Sequence, residues 1–111
     1  MLARLWRTHY DRKRLAELEH FAQTQSLPTF RRQPGCMGVL FAYADDVWIT
    51  LSLWRDQAAI DQLQHAPAYT QTVQHLLATG ILQGQQTIEV FTFSGGFVDA
   101  QQVSSLLEDK L

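Results

Sequence analysis

Residues 47–60, with the sequence VWITLSLWRDQAAI, decide the fold of this chain. In the first eight positions, aliphatic side chains alternate with aromatic or small polar ones, which is the period of two typical of a β-strand. Asp56 then stands where a helix N-cap is expected, because its carboxylate can accept hydrogen bonds from the free N–H groups of the first helical turn. Within residues 47–54 no side chain is charged, so both faces of the strand are predicted to be buried.

The patterns on either side of this stretch predict a βαββαβ order. Strands are expected at residues 2–10, 36–43, 47–54 and 86–93. The first helix follows Asp11 and is expected to break near Pro28, because the residue before a proline avoids helical geometry. The second follows Asp56 and is expected to restart at Pro67. Right-handed crossovers would place both helices on one face of a four-stranded antiparallel sheet, which is the ferredoxin-like α+β plan.

The length of 111 residues indicates one domain with a single hydrophobic core. Residues 1–96 are predicted to form this domain and residues 97–111 a C-terminal helical extension. Within the extension, residues 99–111 are expected to form an amphipathic helix that buries Val103, Leu106 and Leu107.

Charge and cysteine content exclude several classes of function. A net charge of −2 argues against a dedicated nucleic-acid binder. Cys36 is the only cysteine, so an intrachain disulfide is impossible. With no recognisable signal peptide or membrane span, we expect a cytoplasmic protein without a membrane partner.

A cluster of basic residues in the first third is interpreted as solvated, with an anionic ligand as the alternative: Arg4, Arg7, Arg12, Lys13, Arg14, Arg31 and Arg32.

The tryptophans predict a homodimer. Trp48 and Trp54 share one face of the third strand, and Trp6 can join them from the first strand. Leaving such rings in water forfeits about 1.5–3 kcal/mol of burial free energy each. We therefore expect the sheet face that carries the tryptophans to pack on a second copy of the chain. The aliphatic side chains of the opposite face would then contact the helices: Ala3, Leu5, Ile49, Leu51 and Leu53.

Four segments make the chain resemble the antibiotic biosynthesis monooxygenase family. They are MLARLW at 1–6, LPTFRRQPGCMG at 27–38, LSLWRDQAAI at 51–60 and TIEVF at 87–91. The resemblance follows the order and spacing of the family over roughly residues 1–93. It implies a dimeric α+β barrel, in which two ferredoxin-like sheets pack face to face.

The resemblance also implies a choice of activities. Family members include oxygenases that need no cofactor and act on polyphenols or quinols, enzymes that degrade haem, and members without known activity. The haem-degrading branch uses an asparagine on the first strand with a tryptophan and a histidine on the second helix. This chain lacks that asparagine, and Gln62 and Val73 or Thr72 stand near the other two positions. Haem degradation is therefore not expected.

Four residues are candidates for a site between the sheet and the helices. His9 is a candidate general base, because the reference pKa of histidine, about 6.5, lies near working pH. Arg7 is a candidate holder of a phenolate or carboxylate. His65 and Tyr69 flank Pro67, where a kinked helix leaves room for a ligand. For each of the four, packing or exposure to solvent is the alternative. No motif with metal-ligand spacing occurs, so no metal is expected.

The sequence thus predicts a cofactor-independent monooxygenase acting on a small aromatic or quinol, whose partners are a second copy and that small hydrophobic molecule. The alternatives are a non-catalytic homodimeric module that binds a small ligand, and haem binding without degradation. Whether the chain is an enzyme is left open by the sequence.

Overall fold

The computed structural model describes residues 1–108 and shows a four-stranded antiparallel sheet with the main helices on one face. The strands are β1 (Leu2–Tyr10), β2 (Cys36–Ala44), β3 (Val47–Trp54) and β4 (Leu82–Thr92). The helices are α1 (Leu15–Phe21), α2 (Leu27–Arg31), α3 (Gln57–Leu63), α4 (Pro67–Ala78) and α5 (Ala100–Glu108). The strand order β2-β3-β1-β4 confirms the predicted ferredoxin-like fold.

The predicted break in the first helix is wrong. A 3-10 turn (Arg12–Arg14), α1, a π segment (Ala22–Ser26) and α2 follow one another without an interruption. Leu27 donates its N–H to the carbonyl of Ala22, five residues back, so the hydrogen-bond register has already shifted by one residue before Pro28. Pro28 then lies at the start of α2, where the missing N–H of a proline is tolerated.

Both predicted N-caps are confirmed. The Asp11 carboxylate accepts a hydrogen bond from the backbone N–H of Lys13 at 3.0 Å. The Asp56 carboxylate accepts one from the backbone N–H of Ala59 at 2.9 Å, and this bond lowers the pKa of Asp56 from its ordinary value of 3.8. The restart of the second helix at Pro67 is confirmed as well.

The predicted assignment of the two sheet faces is wrong, because the tryptophan face is the one that the helices cover. Trp48 and Trp54 are buried, and they form edge-on ring contacts with Tyr10 and Phe30, respectively. Their indole N–H groups donate to the small polar side chains between them on β3, Trp48 to Thr50 at 3.2 Å and Trp54 to Ser52 at 2.8 Å. Each large ring therefore fills space under the helices with its polar atom satisfied.

The aliphatic face of the sheet is open in the single chain. Residues paired across antiparallel strands share a face, and the pairs Leu40–Leu51 and Leu51–Leu5 align three leucines across β2, β3 and β1. Leu53 is half-buried and Phe91 is 49% exposed on the same face. The face that was expected to contact the helices is thus the one on which a further layer of structure can pack.

Strand β4 begins at Leu82, earlier than the predicted residue 86. Its pairing with β1 shifts register between Arg7 and His9, near Gly84, whose φ of 72° is a conformation that glycine adopts without strain. This irregularity lets β4 pair with the full length of β1.

The predicted C-terminal helix is present as α5, but its apolar side chains are not buried as expected. Leu106 is 67% exposed, and Val103 and Leu107 are exposed too. Residues 109–111 of the predicted helix lie outside the described residues. Among residues 1–108, no helix is long and apolar enough to cross a membrane.

Candidate functional site

A narrow cleft lies between the covered face of the sheet and the helices. Its cavity volume is about 40 Å³, which is room for a few water molecules. Its walls are mainly aromatic and aliphatic. The residues that line it are Arg4, Trp6, Leu18, Phe21, Ala22, Ser26, Thr29, Phe30, Phe41, Trp48, Thr50, Tyr69, Thr72, Val73, Leu76, Leu77 and Leu82.

Arg4 is the one charged residue of this lining within residues 1–108. It lies on β1 and is 2% exposed, although arginine is rarely buried without a charged partner. Its Nη2 donates to the hydroxyl of Tyr69 at 3.0 Å, and its guanidinium carbon lies 5.6 Å from the centroid of the same ring. Within residues 1–108, this is the guanidinium's only hydrogen bond, and no carboxylate is within ion-pair distance.

The described part of the cleft contains a cation but no acidic or imidazole side chain. Among residues 1–108, the lining includes no aspartate, glutamate or histidine. Besides Arg4, the polar side-chain groups of the described lining are the indole N–H groups of Trp6 and Trp48 and several hydroxyls, mainly those of Thr29, Thr50, Tyr69 and Thr72. The arrangement can therefore hold and stabilise an anion in apolar surroundings, but a carboxylate or imidazole base would have to come from elsewhere.

A hydrogen bond between two threonines ties the walls of the cleft together. The hydroxyls of Thr29 on α2 and Thr72 on α4 lie 2.8 Å apart. Phe30 on α2 also meets Tyr69 on α4 edge-on, with ring centroids 5.8 Å apart. Leu76 is the one buried residue among the 12 of α4, which is a smaller buried share than α1 or α2 has.

The structure brings one of the four predicted site residues into the cleft. Tyr69 lines it, whereas His65 is exposed in the turn between α3 and α4 and is not part of the lining. Arg7 and His9 are exposed on the open face of the sheet, so their predicted location on the helix side is wrong. His9 Nδ1 lies 3.3 Å from a carboxylate oxygen of Asp46. The catalytic roles of Arg7 and His9 stay predictions.

Arg4 is the residue that the sequence analysis missed. The prediction places it among the solvated basic residues, yet it shares one face of β1 with Trp6, Thr8 and Tyr10. A signal was present in that alternation, because a cation on a tryptophan-bearing strand face is buried whenever the helices cover that face. The role of anion holder predicted for Arg7 therefore fits the location of Arg4.

Comparison with protein-family models and with curated proteins finds no match. Solved structures do match. The monooxygenase from the gene ActVA-Orf6 of Streptomyces coelicolor, in complex with nanaomycin D, has a TM-score of 0.75 and 15% identity, over 87% of this chain and 90% of that one.

Two further solved structures share the fold at similarly low sequence identity. A mutant of SnoaB, a cofactor-independent oxygenase from Streptomyces nogalater, has a TM-score of 0.67 and 17% identity, over 86% of this chain and 94% of that one. Rv0793 from Mycobacterium tuberculosis has a TM-score of 0.67 and 15% identity, over 86% of this chain and 96% of that one. An antibiotic biosynthesis monooxygenase matches as well, with a TM-score of 0.68 and 15% identity, over 86% of this chain and 100% of that one. The chain therefore has the fold of these structures, as its sequence resemblance predicted.

Proposed function

We propose that this protein is a cofactor-independent monooxygenase that oxidises a small aromatic or quinol bound between the sheet and the helices. The observation that carries the proposal is the aromatic-walled cleft with one buried guanidinium, in a fold shared with oxygenases of this kind. In the proposed reaction a quinol and O2 give a hydroxyquinone and water. One oxygen atom enters the ring, the other leaves as water, and the quinol supplies the electrons.

The proposed task of Arg4 is to favour the anionic form of the substrate. A quinol must lose a proton before it passes an electron to oxygen readily, and a cation in apolar surroundings stabilises the resulting oxyanion more strongly than it would in water. The Tyr69 hydroxyl, held by Arg4 at 3.0 Å, is a second donor beside the same position.

The cleft has to widen to admit an aromatic ring, because about 40 Å³ is too little. We propose that α4 moves away from α2. This movement breaks the Thr29–Thr72 hydrogen bond and separates Tyr69 from Phe30. It also draws Leu76 out of one core cluster and Tyr69 away from the other, while the residues that α1 and α3 contribute to these clusters stay in place. Closure over the substrate would then exclude water from the oxyanion.

Oxygen uptake with a panel of quinols tests the proposal, with 18O2 used to follow the atoms. We expect uptake above the buffer rate for at least one quinol and one labelled oxygen atom in the product. Arg4→Gln should lower kcat/KM about 10- to 100-fold, the equivalent of about 1.5–3 kcal/mol for a hydrogen bond to a charged group. Arg12→Gln removes the same charge from an exposed position and should have no effect.

Two results would contradict the proposal: no uptake with any quinol, or equal losses in Arg4→Gln and Arg12→Gln. The variant His9→Ala tests the predicted role of His9 as a general base. A loss of activity in His9→Ala would restore the predicted base and would place the chemistry outside the cleft.

The second candidate function is a non-catalytic module that binds a small aromatic ligand. The narrow cavity favours this candidate, and so does the lack of a carboxylate or imidazole in the part of the lining that the structure describes. The same experiments separate the two functions, since a binding module shows saturable binding of an aromatic ligand without oxygen uptake.

We further propose that the protein forms a homodimer through the open aliphatic face of the sheet. This proposal replaces the tryptophan face predicted from the sequence. It is supported by the row of Leu40, Leu51 and Leu5 and by the half-buried Leu53 beside it. A contiguous apolar surface of this kind is typical of protein–protein contacts.

A further inference from the structure

We propose that the ligand of the cleft is an aromatic acid that is already negatively charged in solution, and that Arg4 binds its anionic group. This inference rests on the proposed use of the cleft as the substrate site. It goes further by defining the charge and the recognition group of the molecule that enters.

The first argument concerns the charge of Arg4. A guanidinium presents five N–H donors in a planar fork that matches a carboxylate or an equivalent pair of oxygens. In this structure the described residues supply only the Tyr69 hydroxyl as an acceptor, at 3.0 Å. Burial of a charge with one neutral partner is unfavourable, and a bound anion would remove that penalty.

The second argument concerns the proton. A neutral phenol that entered the cleft would find no aspartate, glutamate or histidine among the described lining residues to accept its proton. A molecule that has lost its proton in water needs no such group. The lining therefore suits an aromatic ring that carries a carboxylate, such as a carboxylated quinol, better than a quinol whose only acidic groups are its hydroxyls.

The third argument concerns the rest of the ligand. The aromatic residues of the cleft lining include Trp6, Phe30, Trp48 and Tyr69, which offer ring faces and edges and few polar groups. Such walls favour a flat apolar body. A small inorganic anion would satisfy the guanidinium but would leave these walls without contacts, so the structure favours an anion attached to an aromatic ring.

Binding of a matched pair of probes by isothermal titration calorimetry tests the inference without turnover. The probes are 2-naphthoate and 2-naphthamide, which have the same shape and differ in charge. We expect the wild-type protein to bind the acid about 10- to 100-fold more tightly than the amide, as for a hydrogen bond to a charged group. Equal affinities would overturn the inference, and this comparison needs no variant.

Variants assign the preference to one residue. Arg4→Gln should bind the acid and the amide equally, and Tyr69→Phe, which keeps the guanidinium, should retain a preference for the acid. A preference that survives in folded Arg4→Gln would overturn the assignment to Arg4. Circular dichroism establishes that each variant is folded before titration.

The result is distinguishable from a failure of the proposed function. Tight naphthoate binding through Arg4 without oxygen uptake on any quinol would support the anion site and reject the monooxygenase. Oxygen uptake by a protein that binds the two probes equally would support the monooxygenase and reject the anion site.

Discussion

Arg4 is a buried charge whose one hydrogen-bond partner among residues 1–108 is a neutral hydroxyl, and burial of this kind costs stability. It is 2% exposed and donates to Tyr69 at 3.0 Å. Replacing buried charges by apolar side chains of similar volume is often neutral or stabilising, whereas removing one partner alone leaves a polar atom unpaired. The residue is thus better explained by binding than by folding.

A double substitution tests this explanation. Arg4→Met with Tyr69→Phe removes the charge and its acceptor together, so we expect a rise of about 1 kcal/mol or more in the free energy of unfolding without ligand. Urea denaturation measures this change, and Tyr69→Phe alone is the control that removes only the hydroxyl. A clear loss of stability in the double variant would show that the pair contributes to folding.

The sequence could group these residues but could not say which group is buried. A period of two shows that Arg4 shares a face with Trp6, and Arg7 with His9. Both faces of β3 lack charge, so hydropathy gave no reason to prefer one of them as the helix side. Because the wrong face was chosen, the cation of the cleft was assigned to Arg7 instead of Arg4.

At the scale of elements, the turn at Gly35 fixes the position of β2 against α3. Gly35 has a φ of 80°, and a Cβ added to it would lie 2.6 Å from the Cβ of Ala59. Its carbonyl accepts a hydrogen bond from the N–H of Arg55 at 2.9 Å. The lack of a side chain therefore serves both the turn and the close approach of the helix.

Comparison of two glycine substitutions separates these effects. Gly35→Ala and Gly84→Ala both place an alanine at a positive φ, but no atom lies within 4 Å of the added Cβ at Gly84. We expect Gly84→Ala to lose about 1–2 kcal/mol of stability for the left-handed conformation, and Gly35→Ala to lose more because of the clash. Thermal denaturation measures both.

Removal of the Ala59 methyl group, which makes the clash, should restore stability to the Gly35→Ala variant. Ala59→Gly in the Gly35→Ala background should recover the excess loss, apart from the lower helix propensity of glycine. Equal losses in the two alanine variants would mean that the turn moves away from α3 without difficulty.

Local chemistry made most elements predictable. The two aspartate caps, Pro67 and the alternation of β1 and β3 gave correct boundaries, because each is a short-range signal. The π segment was missed because proline normally ends a helix, and a register shift before Pro28 leaves no mark in hydropathy. The early start of β4 depends on pairing with β1, which is a long-range contact.

At the scale of the whole molecule, the open face of the sheet predicts the oligomeric state. Leu51 is central on this face, with Leu5 and Leu40 as its neighbours on the adjacent strands. A second copy that packs on this face would bury the three leucines of each chain against those of the other. The dimer was predicted from the sequence for the opposite face, because large rings are a stronger sequence signal than a row of leucines.

A carboxylate placed in this row tests the interface. In the proposed dimer, Leu51→Asp buries an uncompensated charge at about 3–5 kcal/mol, so the Kd for dissociation should rise about 100-fold or more. Sedimentation equilibrium measures the Kd. Ala68→Asp adds the same charge on the exposed side of α4 and should leave the Kd unchanged. A wild-type protein that stays monomeric at micromolar concentration would reject the dimer.

The guanidinium of Arg4, which has a neutral hydroxyl as its one hydrogen-bond partner among residues 1–108, would also link the lifetime of the protein to the proposed ligand. A molecule that binds only the folded chain stabilises it by about 2.7 kcal/mol at a concentration 100 times its Kd. Degradation in a cell acts largely on the unfolded fraction, so the chain would be removed faster when its ligand is scarce. The same buried charge that selects the ligand would then set how much of the protein persists.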